Sequence, residues 1–374
     1  MTSLLHKTIQ LGTHLLLCGW FCSTGLSQVV APQSFSLQGH LSTLKKGNVY
    51  LLRQDKVPLD STAIAGNHFT FRGKLAEPGL HFLQIGKDER TYPVFLEGAS
   101  MQIRFHNDQT YQVTGSPLHV QWDEYENKFL NGARDKLVAL FSQQQVAQQQ
   151  GDSVRLMALR KQNDTLSVAI GRQLLDRLTR KPYTFFNLYL LKERSYSDEF
   201  ITNQLNEFRP VLSGYPSFQN LEKGLKEKQQ LLKKIAPGQV AYAFELPDSS
   251  GKAHSLASLA NKVVLIDFWA SWCGPCIQQM PSLKALQAAF GAQGLTIIGI
   301  SIDDDRQRWL QALRRLRPAG IQLLASKDQV LKEQYALFAI PQTYLIDQDG
   351  KIIATNLEKE ALREKVAELL TRQR

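Results

Sequence analysis

The sequence predicts a multidomain chain in which an N-terminal antiparallel β-sandwich is followed by a helical segment and a C-terminal α/β domain. The first observation is the length, because 374 residues exceed the size of one typical domain. The second is that the residue pattern changes twice, from short alternating apolar segments to helical spacing and then to alternating strands and helices. With 43% hydrophobic and 21% charged residues, the composition is that of a globular protein rather than a disordered chain.

Residues 1–27 form a separate segment with the pattern of a secretory signal peptide. His6 and Lys7 precede the short apolar run LGTHLLLCGWFC, and small residues at Gly25 and Ser27 mark a cleavage site. The apolar run of about 12 residues is shorter than the ~20 that a membrane-spanning helix needs. We therefore expect an exported protein of the bacterial periplasm, with membrane anchoring as the alternative if the signal is not cleaved.

Residues 28–115 are predicted to form the β-sandwich. Short apolar or alternating segments are separated by Gly, Asn and Pro, as in antiparallel sandwiches and barrels. The seven segments are FSLQGHL, GNVYLLRQ, HFTFRGKL, GLHFLQIG, TYPVFLE, SMQIRFH and YQVTG. Four histidines lie on different segments without local metal-ligand spacing, so we expect them to be surface or packing residues: His40, His68, His81 and His106.

Residues 116–236 change to helical spacing, with about four helices predicted. The apolar residues that recur at this spacing in the first part are Trp122, Tyr125, Phe129, Leu137, Leu140 and Phe141. Aromatic residues in such a stripe are more often helix-packing core than a cofactor site. Pro237 and Gly238 follow a charged helix and predict the domain boundary.

Residues 237–374 alternate between strands and helices, as in an α/β sheet. The strand KVVLIDFWA precedes a helix over Pro275–Phe290, and LTIIGISID precedes a helix over Arg306–Leu316. IQLLAS and QVLKEQYAL follow as a short strand and a short helix. QTYLIDQ and KIIATN flank Asp349-Gly350, a strong hairpin signal, and a last helix covers Glu358–Arg372. The sheet is therefore expected to have mixed strand directions.

Cysteine usage indicates redox chemistry in this last domain. The chain has four cysteines, and two of them lie in the signal segment, which leaves Cys273 and Cys276. A disulfide that closes so small a loop restrains the unfolded chain little. A structural zinc site would need four ligands, but there are no further cysteines after the signal segment and His254 is the only histidine in the domain. Two cysteines in a C-x-x-C spacing beside a βαβ pattern favour a redox pair.

The pattern assigns a step to each residue of the pair. Cys273 stands where a strand ends and a helix begins, where unpaired N–H groups and the helix dipole stabilise a thiolate. Cys276 lies one turn further and can attack the mixed disulfide that Cys273 forms. Asp267, in the apolar strand before them, would have a raised pKa if buried and could take the proton from Cys276. The alternative is a strand acid that faces solvent or has a structural partner.

The segment DFWASWCGPC resembles the active site of thioredoxins, including Trp272, Gly274 and Pro275 around the two cysteines. The wider frame over residues 239–374 resembles the TlpA-like thiol–disulfide oxidoreductases, relatives of the alkyl hydroperoxide reductase superfamily. The resemblance implies a thioredoxin-like fold in which Pro341 is a cis-proline facing the cysteines and the Ile340 backbone pairs with substrate. Some cytochrome-maturation members carry a Glu where this chain has Gln279, so equivalence to those members is not implied.

These observations predict an exported thiol–disulfide oxidoreductase that reduces protein disulfides. Disulfide isomerase, thiol peroxidase and client-binding chaperone module remain as alternatives. The expected partners are disulfide-bearing or thiol-bearing client proteins and a membrane or periplasmic electron-donor protein. A second copy of the chain, in a homodimer, is a further candidate partner. No metal, flavin or nicotinamide site is evident, so no cofactor is predicted. The net charge of +10 is spread along the chain without a basic stripe, which argues against nucleic-acid binding.

Overall fold

The N-terminal β-rich region contains eight strands in two four-stranded sheets. The computed structural model describes residues 30–107 and 110–371, so the predicted signal segment lies outside the described residues. The strands are Gln33–His40 (β1), Asn48–Leu52 (β2), Pro58–Ala63 (β3), His68–Leu75 (β4), Gly79–Ile85 (β5), Thr91–Leu96 (β6), Ser100–Phe105 (β7) and Tyr111–Thr114 (β8). The sheet orders are β4-β1-β7-β8 and β3-β2-β5-β6. Alternate residues of both sheets, such as Leu37, Val49 and Ile103, belong to one buried core.

Two features of these sheets differ from the prediction. β1 pairs parallel with β7, so the expected all-antiparallel arrangement is wrong at this pair. The parallel pairing arises because β7 follows a crossover from the other sheet and lies beside the first strand of the chain. β3 was missed because its residues are mostly polar and exposed, so it shows no inward-facing apolar alternation. His40 and His68 face each other on β1 and β4 with their ring centroids 4.8 Å apart.

The middle of the chain is helical from Pro117 to Lys234. The helices are Pro117–Asp123 (α1), Asn131–Gln149 (α2), Ser153–Thr179 (α3), Phe185–Lys192 (α4), Asp198–Leu212 (α5) and Pro216–Lys234 (α6), with a π-helical turn at Glu124–Leu130 between α1 and α2. Side chains of Ser116, Asp152 and Ser197 accept backbone N–H groups at the starts of α1, α3 and α5.

Sequence spacing described part of this helical region incorrectly. Phe141, placed in the helical core by its spacing, is exposed on α2. The short helix α4 was missed because its residues FFNLYLLK are buried on nearly every side, so no amphipathic period marks it. In the described residues, no helix combines the length and the apolar character that crossing a bilayer requires.

The C-terminal region is an α/β structure around a five-stranded sheet. Its elements are Glu245–Pro247 (β9), Ala253–Ser255 (β10), Val263–Trp269 (β11), Gly274–Phe290 (α7), Leu295–Ser301 (β12), Arg306–Leu316 (α8), Ile321–Leu324 (β13), Gln329–Gln334 (α9), Gln342–Ile346 (β14), Ile352–Thr355 (β15) and Lys359–Thr371 (α10), with 3-10 turns at Leu256–Leu259 and Gly291–Gln293. β9 and β10 form a separate hairpin, and the main sheet has the order β13-β12-β11-β14-β15. β11, β12 and β13 are parallel to one another, and β14 is antiparallel to β11. β15 is antiparallel to β14, as the Asp349-Gly350 turn predicts.

β11 lies at the centre of this sheet and is buried along its whole length. One face of the sheet, with Ile266 and Phe268, carries a core cluster that includes Leu331 of α9. The other face, with Val263 and Leu265, packs against α7 and α10. A strand covered on both faces reads as a continuous apolar run, so the single acid in it, Asp267, is forced into the interior.

The chain divides into two compact units, with the boundary between Leu221 and Glu222. This boundary falls inside α6 and not at the predicted change near residue 236. The physical reason lies in the second half of α6, where Leu231 and the following Ile235 join the core cluster of the α/β unit.

Candidate active site

The two cysteines stand at the start of α7, directly after the central strand. Cys273 is the N-cap of the helix, with extended backbone angles, and its Sγ accepts the backbone N–H of Cys276 at 3.2 Å. Gly274 and Pro275 form the first turn, where the missing N–H of proline has no partner to lose. The two sulfurs form a disulfide with the Cα atoms 5.3 Å apart. The sulfur of Cys273 therefore lies where unpaired N–H groups and the helix dipole stabilise negative charge.

Both cysteines are nearly buried, whereas the residues beside them are exposed. Cys273 is 4% exposed and Cys276 is 2% exposed. The residues between and before them are exposed, and Trp272 presents 65% of its surface to solvent. A reacting group must therefore approach beside Trp272 and the Gly274-Pro275 turn.

Asp267 is buried beneath α7, as the strand position predicts. Only 5% of the residue is exposed, and in the described part of the chain its Oδ1 has no hydrogen-bond partner. Loss of hydration raises the pKa of this carboxyl from 3.8 to about 7. It shares the α7-facing side of the sheet with Leu265, and Thr343 of β14 lies directly opposite it. A carboxyl with this pKa can both hold and release a proton near neutral pH.

The raised pKa of Asp267 makes the folded state less stable as the pH rises. The unfolded chain releases this proton near pH 3.8, whereas the folded chain keeps it until about pH 7, so stability falls between these values. Asp267→Asn removes the titration. From pH 4 to pH 8 the free energy of unfolding of the wild type should fall relative to that of the variant by up to about 4 kcal/mol, at about 1.36 kcal/mol for each pKa unit. Denaturant unfolding of the oxidised proteins at both pH values measures this fall, and a stability difference independent of pH would contradict it.

The segment Ile340-Pro341 lies beside the cysteines and precedes β14. Its peptide bond is cis, in agreement with the expectation from the resemblance. Ile340 packs against the buried cluster that contains Cys273 and Cys276. Pro341 and Pro275 both line a groove of about 760 Å³ between α7 and the start of α10.

This groove, which we call the α7–α10 groove, includes Pro275, the residue directly before Cys276. Its lining residues come from α7, from the strand ends of β14 and β15 and from the first turn of α10: Pro275, Gln278, Gln279, Ser282, Leu283, Leu286, Pro341, Thr343, Asn356, Leu357, Glu358, Lys359, Glu360, Ala361 and Leu362. Gln279, at the position where some relatives have a carboxylate, thus faces the groove with an amide that does not titrate.

A buried carboxylate that the sequence interpretation missed holds the loop before Cys273. Asp303 follows β12 and is 2% exposed. It accepts hydrogen bonds from the Ser271 backbone N–H at 2.9 Å, from the Ser271 hydroxyl at 2.7 Å and from the Ser301 hydroxyl at 2.7 Å. The run Asp303-Asp304-Asp305 at a strand end was the available signal, but its letters do not tell which acid turns inward.

Asp303→Asn is expected to destabilise the oxidised protein by about 2 kcal/mol, because an amide cannot accept three hydrogen bonds in place of a charged carboxylate. Asp304→Asn is the matched control, since the neighbouring Asp304 is exposed. Urea unfolding of the two variants and the wild type measures the difference. An equal midpoint for both variants would show that the Asp303 contacts contribute nothing to stability.

The disulfide belongs to a buried cluster that contains two tryptophans. Trp269 at the end of β11, Trp309 of α8 and Met280 of α7 are almost completely buried and belong to the same cluster as the two cysteines. The Trp269 carbonyl also accepts the Ile302 backbone N–H at 3.0 Å. The disulfide therefore packs against this buried cluster.

Comparisons with known proteins agree with this geometry. The model of the AhpC/TSA family matches residues 237–355. The thiol-disulfide oxidoreductase ResA of Geobacillus thermodenitrificans is 30% identical over 133 residues, which are 35% of this chain and 76% of that protein. The chain belongs to the TlpA-like thiol–disulfide oxidoreductases of the AhpC/TSA family.

Two further comparisons concern the same region. The thioredoxin-like protein YneN of Bacillus subtilis is 30% identical over 132 residues, which are 34% of this chain and 76% of that protein. The crystal structure of the thioredoxin domain of a thiol-disulfide oxidoreductase from Bacteroides vulgatus is 33% identical; it covers 36% of this chain and 99% of that chain, with a TM-score of 0.35. As a member of the TlpA-like oxidoreductases, the chain is an enzyme of thiol–disulfide exchange with a thioredoxin-like C-terminal fold.

The N-terminal region has a separate match. A domain of unknown function, DUF4369, matches residues 35–122, which cover most of β1, all of β2 to β8 and most of α1. This match ends near the start of the helical segment and assigns no chemistry to the β-rich region.

Proposed function

We propose that the protein is an exported reductase of protein disulfides that acts through the dithiol form of Cys273 and Cys276. The observation that carries the proposal is the position of this pair, with Cys273 capping α7 directly before the exposed Gly274-Pro275 turn. Clients are disulfide-bearing proteins, and electrons return to the pair from the thiols of a donor protein.

The reaction begins at Cys273. Its thiolate, stabilised by the N-terminal end of α7, attacks one sulfur of the client disulfide, and the other client sulfur leaves as a thiolate. The result is a mixed disulfide between Cys273 and the client. One bond between sulfurs has formed and one has broken, so no net oxidation has occurred at this stage.

Cys276 completes the reaction. Its thiol gives a proton to ionised Asp267, and the resulting thiolate attacks the Cys273 sulfur. The second client sulfur leaves as a thiolate, so the client has gained two electrons and the enzyme holds the Cys273–Cys276 disulfide. The buried carboxyl, with a pKa of about 7, is matched to accept this proton near neutral pH.

The surroundings of the disulfide suit an extended client segment. Trp272 offers an exposed ring beside the sulfurs, and the backbone of Ile340 before cis-Pro341 is the proposed partner for the client strand. The α7–α10 groove would take the continuation of that segment. The reducing direction is supported by the Gly274-Pro275 spacer, which is shared with thioredoxin, a protein poised near −270 mV.

We also propose export to the periplasm and a β-sandwich in the N-terminal region. Export is supported by the basic start, short apolar run and small residues of the first 27 positions. The sandwich is supported by the two sheets that contribute inward-facing residues to one core.

The experiment that tests the proposed function follows the reduction of a disulfide-bonded protein by catalytic amounts of the enzyme with a thiol donor in excess. We expect many turnovers for the wild type. The double variant with Ser at both cysteine positions should match the uncatalysed rate. Efficient reshuffling of a scrambled protein without net reduction would instead indicate an isomerase.

A further inference from the structure

Three residues form one row across the sheet beneath α7. Asp267 of β11 pairs with Gly299 of β12, and Gly299 pairs with Gln322 of β13. Residues paired across parallel strands present their side chains on the same face, so Asp267 and Gln322 lie on either side of a position without a side chain.

The amide of Gln322 fills the space that Gly299 leaves open. A Cβ atom built on Gly299 would lie 2.3 Å from Oε1 and 2.7 Å from Nε2 of Gln322. The amide therefore lies over Gly299, and adjacent strands are only about 4.8 Å apart. The amide of Gln322 therefore extends from β13 over β12, the strand that pairs with β11 at Asp267.

Both side chains have a buried oxygen that lacks a donor. In the described residues, Asp267 Oδ1 and Gln322 Oε1 have no hydrogen-bond partner. The amide orientation is fixed from its other end, because Nε2 donates to the Ala319 carbonyl at 2.6 Å. Buried polar atoms are rarely left unpaired. If Asp267 carries a proton on Oδ1, that oxygen becomes a donor and Gln322 Oε1 can accept, so one hydrogen bond would satisfy both atoms.

We propose that Gln322 is a positioning residue for Asp267, and that its Oε1 accepts the hydrogen bond that protonated Asp267 donates across Gly299. The inference rests on the proposed function, in which Asp267 exchanges a proton with Cys276. A carbonyl oxygen beside the carboxyl favours its neutral form and disfavours the ionised form. Gln322 thus helps to set the pH at which Asp267 becomes able to receive a proton.

The other charged groups around Asp267 have different contacts. From α7, Lys284 donates to the Leu316 carbonyl at 2.7 Å, and the two sulfurs are joined in the disulfide. From the start of α10, Glu358, Lys359 and Glu360 line the α7–α10 groove and are exposed to solvent. Asp303, after β12, accepts its hydrogen bonds from Ser271 and Ser301. Burial raises the pKa of Asp267. The proposed hydrogen bond to Gln322 Oε1 would add to this effect, because it stabilises the neutral carboxyl.

The test measures the titration of Asp267 in the oxidised full-length protein, where the sulfurs do not titrate. Infrared spectroscopy follows the band of the protonated carboxyl, which is assigned by its loss in Asp267→Asn. Gln322→Met keeps the volume but removes the acceptor, so we expect the midpoint to fall by about one pH unit. Gln322→Glu places a second carboxyl there and should raise it. Gln307→Met, at an exposed position of α8, is the matched control and should leave the midpoint unchanged.

A second variant separates displacement of the amide from its removal. Gly299→Ala places a Cβ atom in the space that the Gln322 amide occupies, so the amide must move away. The midpoint of Asp267 should therefore fall as in Gln322→Met. The double variant should fall no further than Gln322→Met alone. Unchanged midpoints in both single variants would overturn the role of Gln322, as would a shift of Gln322→Glu in the same direction as Gln322→Met. Trapping of clients by Cys276→Ser does not depend on this result, so the proposed function would be judged separately.

Discussion

Cys276→Ser is expected to convert the enzyme into a stoichiometric trap for its clients. Cys273 still attacks the client disulfide, but the serine hydroxyl cannot resolve the mixed disulfide, so catalytic turnover should fall at least about a thousandfold. A covalent adduct with one client per enzyme should accumulate. Non-reducing electrophoresis and mass spectrometry of the peptide that contains residue 273 measure the adduct.

Cys273→Ser is the matched control for this trap. The remaining Cys276 is buried and lies inside the first turn of α7 rather than at its N-cap, so we expect neither turnover nor adduct. If Cys273→Ser accumulated the adduct and Cys276→Ser did not, the roles of the two sulfurs would be reversed. Identification of the trapped proteins would also name the clients.

Asp267→Asn is expected to slow resolution of the mixed disulfide about a hundredfold near pH 7. The amide has the shape of the carboxyl but cannot accept the proton of Cys276, and general-base assistance of this kind contributes at least about that factor. The first attack by Cys273 should change much less, because that thiolate is stabilised by the helix end. Rapid-quench measurement of the two steps separates these effects.

The pH profile provides the control for this variant. In the wild type the resolution rate should rise as Asp267 ionises and level off above about pH 7. Asp267→Asn should lose this inflection, whereas the exposed Asp304→Asn should keep it. An inflection that persists in Asp267→Asn would assign the proton acceptor to another group.

Local sequence signals predicted the C-terminal domain well. β11 appears as an unbroken apolar run because both of its faces are covered, and α8 begins and ends at the predicted Arg306 and Leu316. The Asp349-Gly350 turn joins β14 and β15 as expected, and the cysteine spacing places both sulfurs at the start of α7. Each of these signals acts over a few residues, so it can be read without knowledge of the tertiary structure.

The features that sequence reasoning missed depend on contacts between distant segments. The parallel pairing of β1 with β7 joins strands about 60 residues apart, and nothing in either segment specifies a partner. Asp303 contacts Ser271 across 32 positions, and Gln322 lies over Gly299 only because their strands are neighbours. Such polar contacts have no period in the sequence, so only the folded arrangement reveals them.

The central claim is that Cys273 and Cys276 cycle between a dithiol and a disulfide, and a redox titration tests it most directly. The protein is equilibrated in buffers of defined dithiol-to-disulfide ratio, and alkylation of the peptide with residues 273–276 is measured by mass. The account predicts one reversible two-electron transition with a midpoint nearer to about −270 mV than to about −120 mV. A pair that stays oxidised or reduced across the whole series would contradict it.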